Sequence, residues 1–168
     1  PRLVSFNGRA FDLPVLKYRA MAYGIAAPWL YGSGDKWNSY QSRFSMDWHC
    51  DLLDVLRDYG ASTAVKLSEV SAVMGLPGKF GVDGSKVAEM IEAGDIQGVR
   101  DYCETDVLNT YLLYLRTMLH RGTLPRDGYN RAVADIITMI EHADDDRQHL
   151  ESFMVAWGEA SNNTFILE

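Results

Sequence analysis

Three side chains have the types and spacing to do chemistry together. Asp12 closes the run Leu3-Val-Ser-Phe-Asn-Gly-Arg-Ala-Phe-Asp12, where a strand-prone segment gives way to a turn and then to a helix. Tyr102 and Asp106 are four residues apart in a long apolar-periodic segment, so they share one face of a helix. Carboxylates so placed are hard oxygen ligands that suit Mg²⁺ or Mn²⁺. A pair of such ions can polarise a phosphodiester and generate hydroxide, and a tyrosine beside the reacting phosphate can orient the attacking water. Each residue also has a plainer reading. Asp12 can serve only as the cap of the helix behind it, and Asp106 can be exposed or bound to a cap.

The elements that must position these residues follow from pattern. The first strand leads through Asn7-Gly8 into a helix over about residues 11–24, with Pro14 near its start. Residues 25–38, with Pro28, Gly32 and Gly34, read as a loop with little regular structure, its Trp29, Tyr31 and Trp37 either exposed and able to stack on bases or, the favoured reading, anchored on the core. Phe44, Met46, Trp48 and Cys50 alternate with polar residues, which predicts a second strand. Asp51 then caps a helix that Gly60 ends. The longest predicted helix spans 96–120, its buried stripe formed by Val99, Cys103, Val107, Thr110, Tyr111, Tyr114, Leu115 and Met118. Two further helices follow, one from about Tyr129 and one over about 147–157, and residues 161–168 read as a tail.

Other motifs are weaker. His49 and Asp51 fall on one strand face and could meet a metal or a phosphate, or form a structural pair with a helix cap. Leu76-Pro-Gly-Lys79 is rich in glycine but lacks P-loop spacing; it can carry Lys79 toward a phosphate backbone. The acidic run 142–146 reads as a solvated face without metal-ligand spacing.

Composition bounds the possibilities. The 168 residues, 47% hydrophobic and 23% charged, suffice for a sizeable core. A net charge of -7 excludes a surface that attracts nucleic acid everywhere, though local cations and bound metals can still handle phosphates. Cys50 and Cys103 form no CxxC pair and read as buried free thiols of a cytoplasmic protein. No apolar run approaches the roughly 18 residues of a membrane span.

Asn7-Gly-Arg-Ala-Phe-Asp12 resembles the second exonuclease motif, Asn-x-x-x-Phe-Asp, of the proofreading domains of family B DNA polymerases. Tyr102-Cys-Glu-Thr-Asp106 resembles their third, Tyr-x-x-x-Asp, in the same order. His49-Cys-Asp51-Leu-Leu-Asp54 and the Leu76-Pro-Gly-Lys79 segment look like stand-alone relatives of those domains. The resemblance covers about residues 3–120. It implies an α/β, RNase H-like fold with a mixed sheet and flanking helices over residues 1–122, followed by a helical extension over 123–168. It implies a 3'-5' exonuclease of the DEDDy class acting on nucleic acid, with single-stranded DNA 3' ends as the expected substrate. Asp12 and Asp106 match metal-ligating aspartates for Mg²⁺ or Mn²⁺, and Tyr102 matches the residue that positions the water. Asn7 and Phe11 match residues near the terminal nucleotides.

The family's first motif, Asp-x-Glu, precedes its second, whereas the six residues before Asn7 include no acid. An N-terminal portion is therefore expected to be missing, the site to be half complete and the nuclease activity of these 168 residues to be low. The alternative is a non-catalytic RNase H-like domain that binds nucleic acid or protein.

Overall fold

The computed structural model describes residues 1–78, 84–144 and 146–167. The chain divides into two compact units, Pro1–Val65 and Lys66–Glu168.

In the first unit, strand β1 (Leu3–Ser5) runs parallel to β2 (His49–Asp51), in the register Leu3↔His49, Val4↔Cys50, Ser5↔Asp51. A parallel pair needs a long crossover. Here it contains helix α1 (Asp12–Ala22) and the short α2 (Pro28–Gly32), and α3 (Leu52–Leu56) follows β2 directly. The Asn7-Gly8 turn forms as expected, with Asn7 in the left-handed region (φ 66°), which asparagine tolerates better than most residues. Gly8 is buried under β1; a Cβ there would sit 2.4 Å from Ser5 Oγ, so only glycine fits.

The second strand is shorter than its sequence alternation suggests. Residues 43–48 are turns, and Phe44 is 72% exposed. Side-chain bonds hold this stretch out of the sheet: Arg43 grips Asp54 with Nε (3.1 Å) and a terminal nitrogen (2.7 Å), and Arg9 takes the Ser42 carbonyl. The loop aromatics also differ from expectation. Trp29, Tyr31 and Trp37 are exposed, and Tyr40 is the buried ring, set edge-on between Trp29 and Trp48. Pro28 at the first turn lets part of that loop become α2.

The second unit is all helical among its described residues. It comprises α4 (Leu67–Val73), α5 (Val87–Glu92), α6 (Ile96–His120), α7 (Arg126–Glu141) and α8 (Gln148–Ser161). Helix α6 has the predicted bounds and packs against all four others. Asp95 caps it, its Oδ1 accepting from Gly98 N at 2.9 Å. Leu108, Leu112, Leu113, Leu115 and Met118 meet Tyr129, Val133, Ile136 and Ile140 of α7 and Leu150, Phe153 and Trp157 of α8 in one core. Each such side chain contributes about 1.5–3 kcal/mol when fully buried.

The buried face of α6 is rotated from the predicted stripe. Val107 (61% exposed), Tyr111 and Cys103 face outward, so Cys103 is not the buried thiol expected, whereas Cys50 is. Thr105, Asn109 and Thr117 lie inside instead. Polar residues are admitted because their bonds are made within the helix or to the Gly78 backbone. Thr105 Oγ1 donates to the Tyr102 carbonyl and Thr117 Oγ1 to that of Leu113. Asn109 Oδ1 accepts from Gly78 N (3.1 Å), and its Nδ2 donates to the carbonyls of Gly78 (2.8 Å) and Thr105 (3.1 Å).

Residues after 161 are not a free tail. Phe165 sets its ring edge-on to Trp157 with centroids 4.9 Å apart, and the Leu167 backbone forms a two-bond clasp with the Asn130 side chain. No described helix is long and apolar enough to cross a membrane.

Replacing Asn109 with Ala leaves the buried Gly78 amide and carbonyl without their partner. A loss of about 2–3 kcal/mol is expected, read as a lowered urea midpoint with an unchanged denaturant slope.

Candidate functional site

A cavity of about 410 Å³ opens where β1 turns into α1. Its wall includes Asn7, Arg9, Lys17, Tyr40, Gln41, Arg43, Asp51, Asp54 and Arg57. The backbone around it is fixed by one side chain. Asp51, 4% exposed, accepts from Asn7 N (2.8 Å), Arg9 N (2.9 Å) and Leu53 N (3.1 Å). The last bond is the predicted N-cap of α3; the first two hold the turn that carries Asn7. Charge-assisted bonds of this kind contribute about 1.5–3 kcal/mol each, and they offset the several kcal/mol that burying an unpaired carboxylate would cost.

Arg9 is the second fastener. Its guanidinium donates to the carbonyls of Tyr40 (3.3 Å), Ser42 (3.1 Å) and His49 (3.0 Å). Burial holds its pKa below the ordinary arginine value, with Asp51 and Asp54 opposing. Asp54 sits below the usual carboxylate range because of the hydrogen bonds from Arg43.

His49 pairs with Ser5, not with Asp51. Its Nε2 lies 2.8 Å from Ser5 Oγ, and its buried Nδ1 has no partner among the described residues. Burial, and then the positive charge of Arg9, lower its pKa to about 4. The buried ring is neutral at pH 7, while Asp51 spends its oxygens on backbone amides. A metal on Asp51 would have to displace the bonds that fix the turn.

The residues singled out from sequence fall as follows. Asn7 lines the cavity, and its side-chain amide makes no hydrogen bond among the described residues. Phe11 (64% exposed) is the residue that caps α1, without a side-chain bond. Asp12 is therefore not the cap. It is the first residue of α1, exposed and without a hydrogen bond or ion pair among the described residues, at the helix end that favours negative charge. In the second unit, Tyr102 and Asp106 are half-buried on one face of α6. A Cβ at Gly84 would come within 3.1 Å of the Tyr102 hydroxyl, so the chain passes close to it there. Asn109 lies on the same face, three residues beyond Asp106. Lys79 lies outside the described residues.

Among the described residues no group of three or more His, Cys, Asp or Glu side chains could hold a metal ion. The aspartates Asp12 and Asp106 do not make up such a cluster by themselves.

Arg9, Lys17, Arg43 and Arg57 were not evident as site residues from sequence. Arg9 stands inside the Asn7–Asp12 motif, which is a signal of sorts, but its three acceptors lie more than thirty residues away. Asn109 gave no signal, because a polar residue in a helix reads as exposed.

A family model described as "Predicted 3'-5' exonuclease related to the exonuclease domain of PolB" matches residues 1–157. No curated protein and no solved structure matches the chain.

The His49 shift sets an acid sensitivity. Its folded pKa of about 4 is below the ordinary 6.5, so the unfolded chain takes up the proton first as pH falls. The stabilisation is complete above pH 6.5 and is lost as pH falls from there through about 4, to a total of about 3 kcal/mol. Urea unfolding across that window should show the loss, and His49→Asn should flatten it.

Proposed function

The chain belongs to the family of predicted 3'-5' exonucleases related to the PolB exonuclease domain, and from that premise we propose that it hydrolyses phosphodiester bonds from the 3' end of single-stranded DNA, on an RNase H-like scaffold. The observation that carries the reading is the family match over residues 1–157, which contains both motifs in order. The small parallel sheet flanked by helices, followed by a helical body, is consistent with the scaffold.

In this reading Asp12 and Asp106 are the aspartates this chain contributes toward divalent cations, Mg²⁺ or Mn²⁺. Such ions supply charge neutralisation and an activated water when bound. The described residues do not fit a complete metal centre, so the reading assigns no step through a bound ion and expects low activity from these 168 residues. Tyr102 supplies a hydroxyl that positions the attacking water. Asn7 and Phe11, at the β1–α1 turn, contact the terminal nucleotides. Phe11 has the exposed ring that base stacking requires. Lys79 supplies a phosphate contact. The exposed Cys103 thiol suits a reducing, cytoplasmic location.

One observation favours a second reading. With no metal-holding cluster among the described residues, the chain can act as a nucleic-acid-binding domain without catalysis.

The test uses single-stranded DNA labelled at its 5' end, with Mg²⁺ or Mn²⁺ and a chelator control. Slow, divalent-dependent shortening from the 3' end is expected, with Asp106→Asn and Asp12→Asn lowering the rate at least about 100-fold and Tyr102→Phe about 10- to 100-fold. Undiminished rates in the aspartate variants would sink the assignment. Tight binding with no shortening would establish the non-catalytic reading.

A further inference from the structure

The cavity at the β1–α1 turn has a charge balance that the nuclease reading does not use. Four cationic side chains line it, Arg9, Lys17, Arg43 and Arg57, against two carboxylates, Asp51 and Asp54. Both carboxylates are committed. Asp51 is taken up by three backbone amides, and Asp54 by the fork of Arg43. Among the described residues the Arg9 guanidinium is bonded only to neutral carbonyls, so its charge is held in place without a contact ion pair.

The other two cations are freer. Lys17 has no hydrogen bond or ion pair among the described residues; its ammonium lies 5.9 Å from the centre of the Tyr31 ring. Arg57 has no salt bridge among them either, and its Nε is shielded from solvent without an acceptor. The Asn7 amide, also without a partner, adds a neutral donor to the same wall. A chain of net charge -7 thus gathers uncompensated positive charge, rigid donors and a recess in one place. Like charges lining one recess repel one another, and an anion with several acceptor oxygens relieves that repulsion. Guanidinium groups match the geometry of phosphate oxygens in particular.

We propose that this cavity is a phosphate-binding site in which Lys17, Arg57 and Asn7 hold a backbone phosphate of the nucleic-acid strand, while Arg9 supplies a fixed positive charge behind them. That the phosphate belongs to a nucleic acid rests on the nuclease reading; that the cavity takes a phosphate group does not. The Asn7 turn then does two things. Its backbone, pinned by Asp51, gives the cavity its shape, and its side chain reaches the ligand.

The full 168-residue chain is titrated with inorganic phosphate and followed by ¹H–¹⁵N NMR at the Asn7 side-chain amide and the Arg57 Nε–H. In parallel, a fluorescent single-stranded 12-mer with a hydrolysis-resistant 3' end is titrated in chelator and followed by anisotropy. Phosphate should shift both signals in the wild type and leave the Asn7 signal unmoved in Lys17→Gln/Arg57→Gln, which lacks the Arg57 Nε–H. The double variant, with its fold checked by circular dichroism, should bind the 12-mer at least about 10-fold more weakly at low salt. Its plot of log affinity against log salt should be shallower by about 0.7, the value of one phosphate contact on a single strand. Wild-type affinity and slope in the double variant would overturn the site while leaving the nuclease reading intact. Phosphate binding lost in the double variant, with no binding of the 12-mer by any form, would keep the site and remove the nucleic acid as its source. A poly-glutamate peptide bound more tightly than either phosphate probe would overturn the proposal in favour of an acidic protein partner.

Discussion

The first unit depends on the burial of one carboxylate. Asp51 ends β2, begins α3 and accepts the amides of Asn7 and Arg9 from the turn after β1. Two three-residue strands provide few ladder bonds, and a two-stranded sheet is marginal by itself. The carboxylate adds links that the ladder lacks, because it ties the end of one strand to the exit of its parallel neighbour. Arg9 extends the same logic with three carbonyls spread over residues 40–49. The left-handed Asn7, the buried Gly8 and the tight Ser5–His49 pair then follow as the geometry that lets Asp51 reach both amides.

The second unit meets a different constraint by related means. Helix α6 must serve four neighbouring helices, so no single apolar stripe suffices. Its buried face mixes leucines with Thr105, Asn109 and Thr117, whose polar atoms are satisfied within the helix or by the Gly78 backbone. A satisfied polar group in a core fixes register, since any slip would leave it unpaired. Between α6 and α8, Glu104 plays the matching role at the edge of the core. Burial works against its ionisation, but donors on Arg147, Arg100 and His149 outweigh it and bring its pKa down to about 2. Above about pH 4.5 the carboxylate therefore clamps the start of α8 to α6, and acid releases that clamp only as pH falls toward 2.

Much of this was legible in the sequence wherever periodicity or capping chemistry sets the outcome. The bounds of α6, the Asp51 cap, the Asn7-Gly8 turn and the inward faces of α7 and α8 all rest on local signals. What sequence could not give depends on partners far along the chain. The alternation of Phe44, Met46 and Trp48 is a sound strand pattern, yet β1 is too short to pair with it and Arg43 and Arg9 hold it in turns. The α6 stripe departs from its most apolar positions because hydrogen-bond satisfaction, which hydrophobicity does not register, admits Thr105, Asn109 and Thr117 to the core. The segment after Ser161 has the composition of a tail, yet the Asn130 clasp on Leu167, a partner 37 residues away, docks it.

The same distinction separates the aspartates by what they can do. In sequence, Asp12 and Asp51 look alike, each at the passage from a strand to a helix. In the fold they are opposites. Asp51 is buried with three donors on its oxygens, and a cation there would have to displace the bonds that hold the turn together. Asp12 is exposed on the first turn of α1 with its oxygens uncommitted among the described residues. A carboxylate whose oxygens hold a turn and a helix cap gives up those bonds when it takes a ligand, whereas one with uncommitted oxygens gives up none. By that criterion Asp51 is a structural acid of the first unit, whereas the oxygens of Asp12 are uncommitted among the described residues.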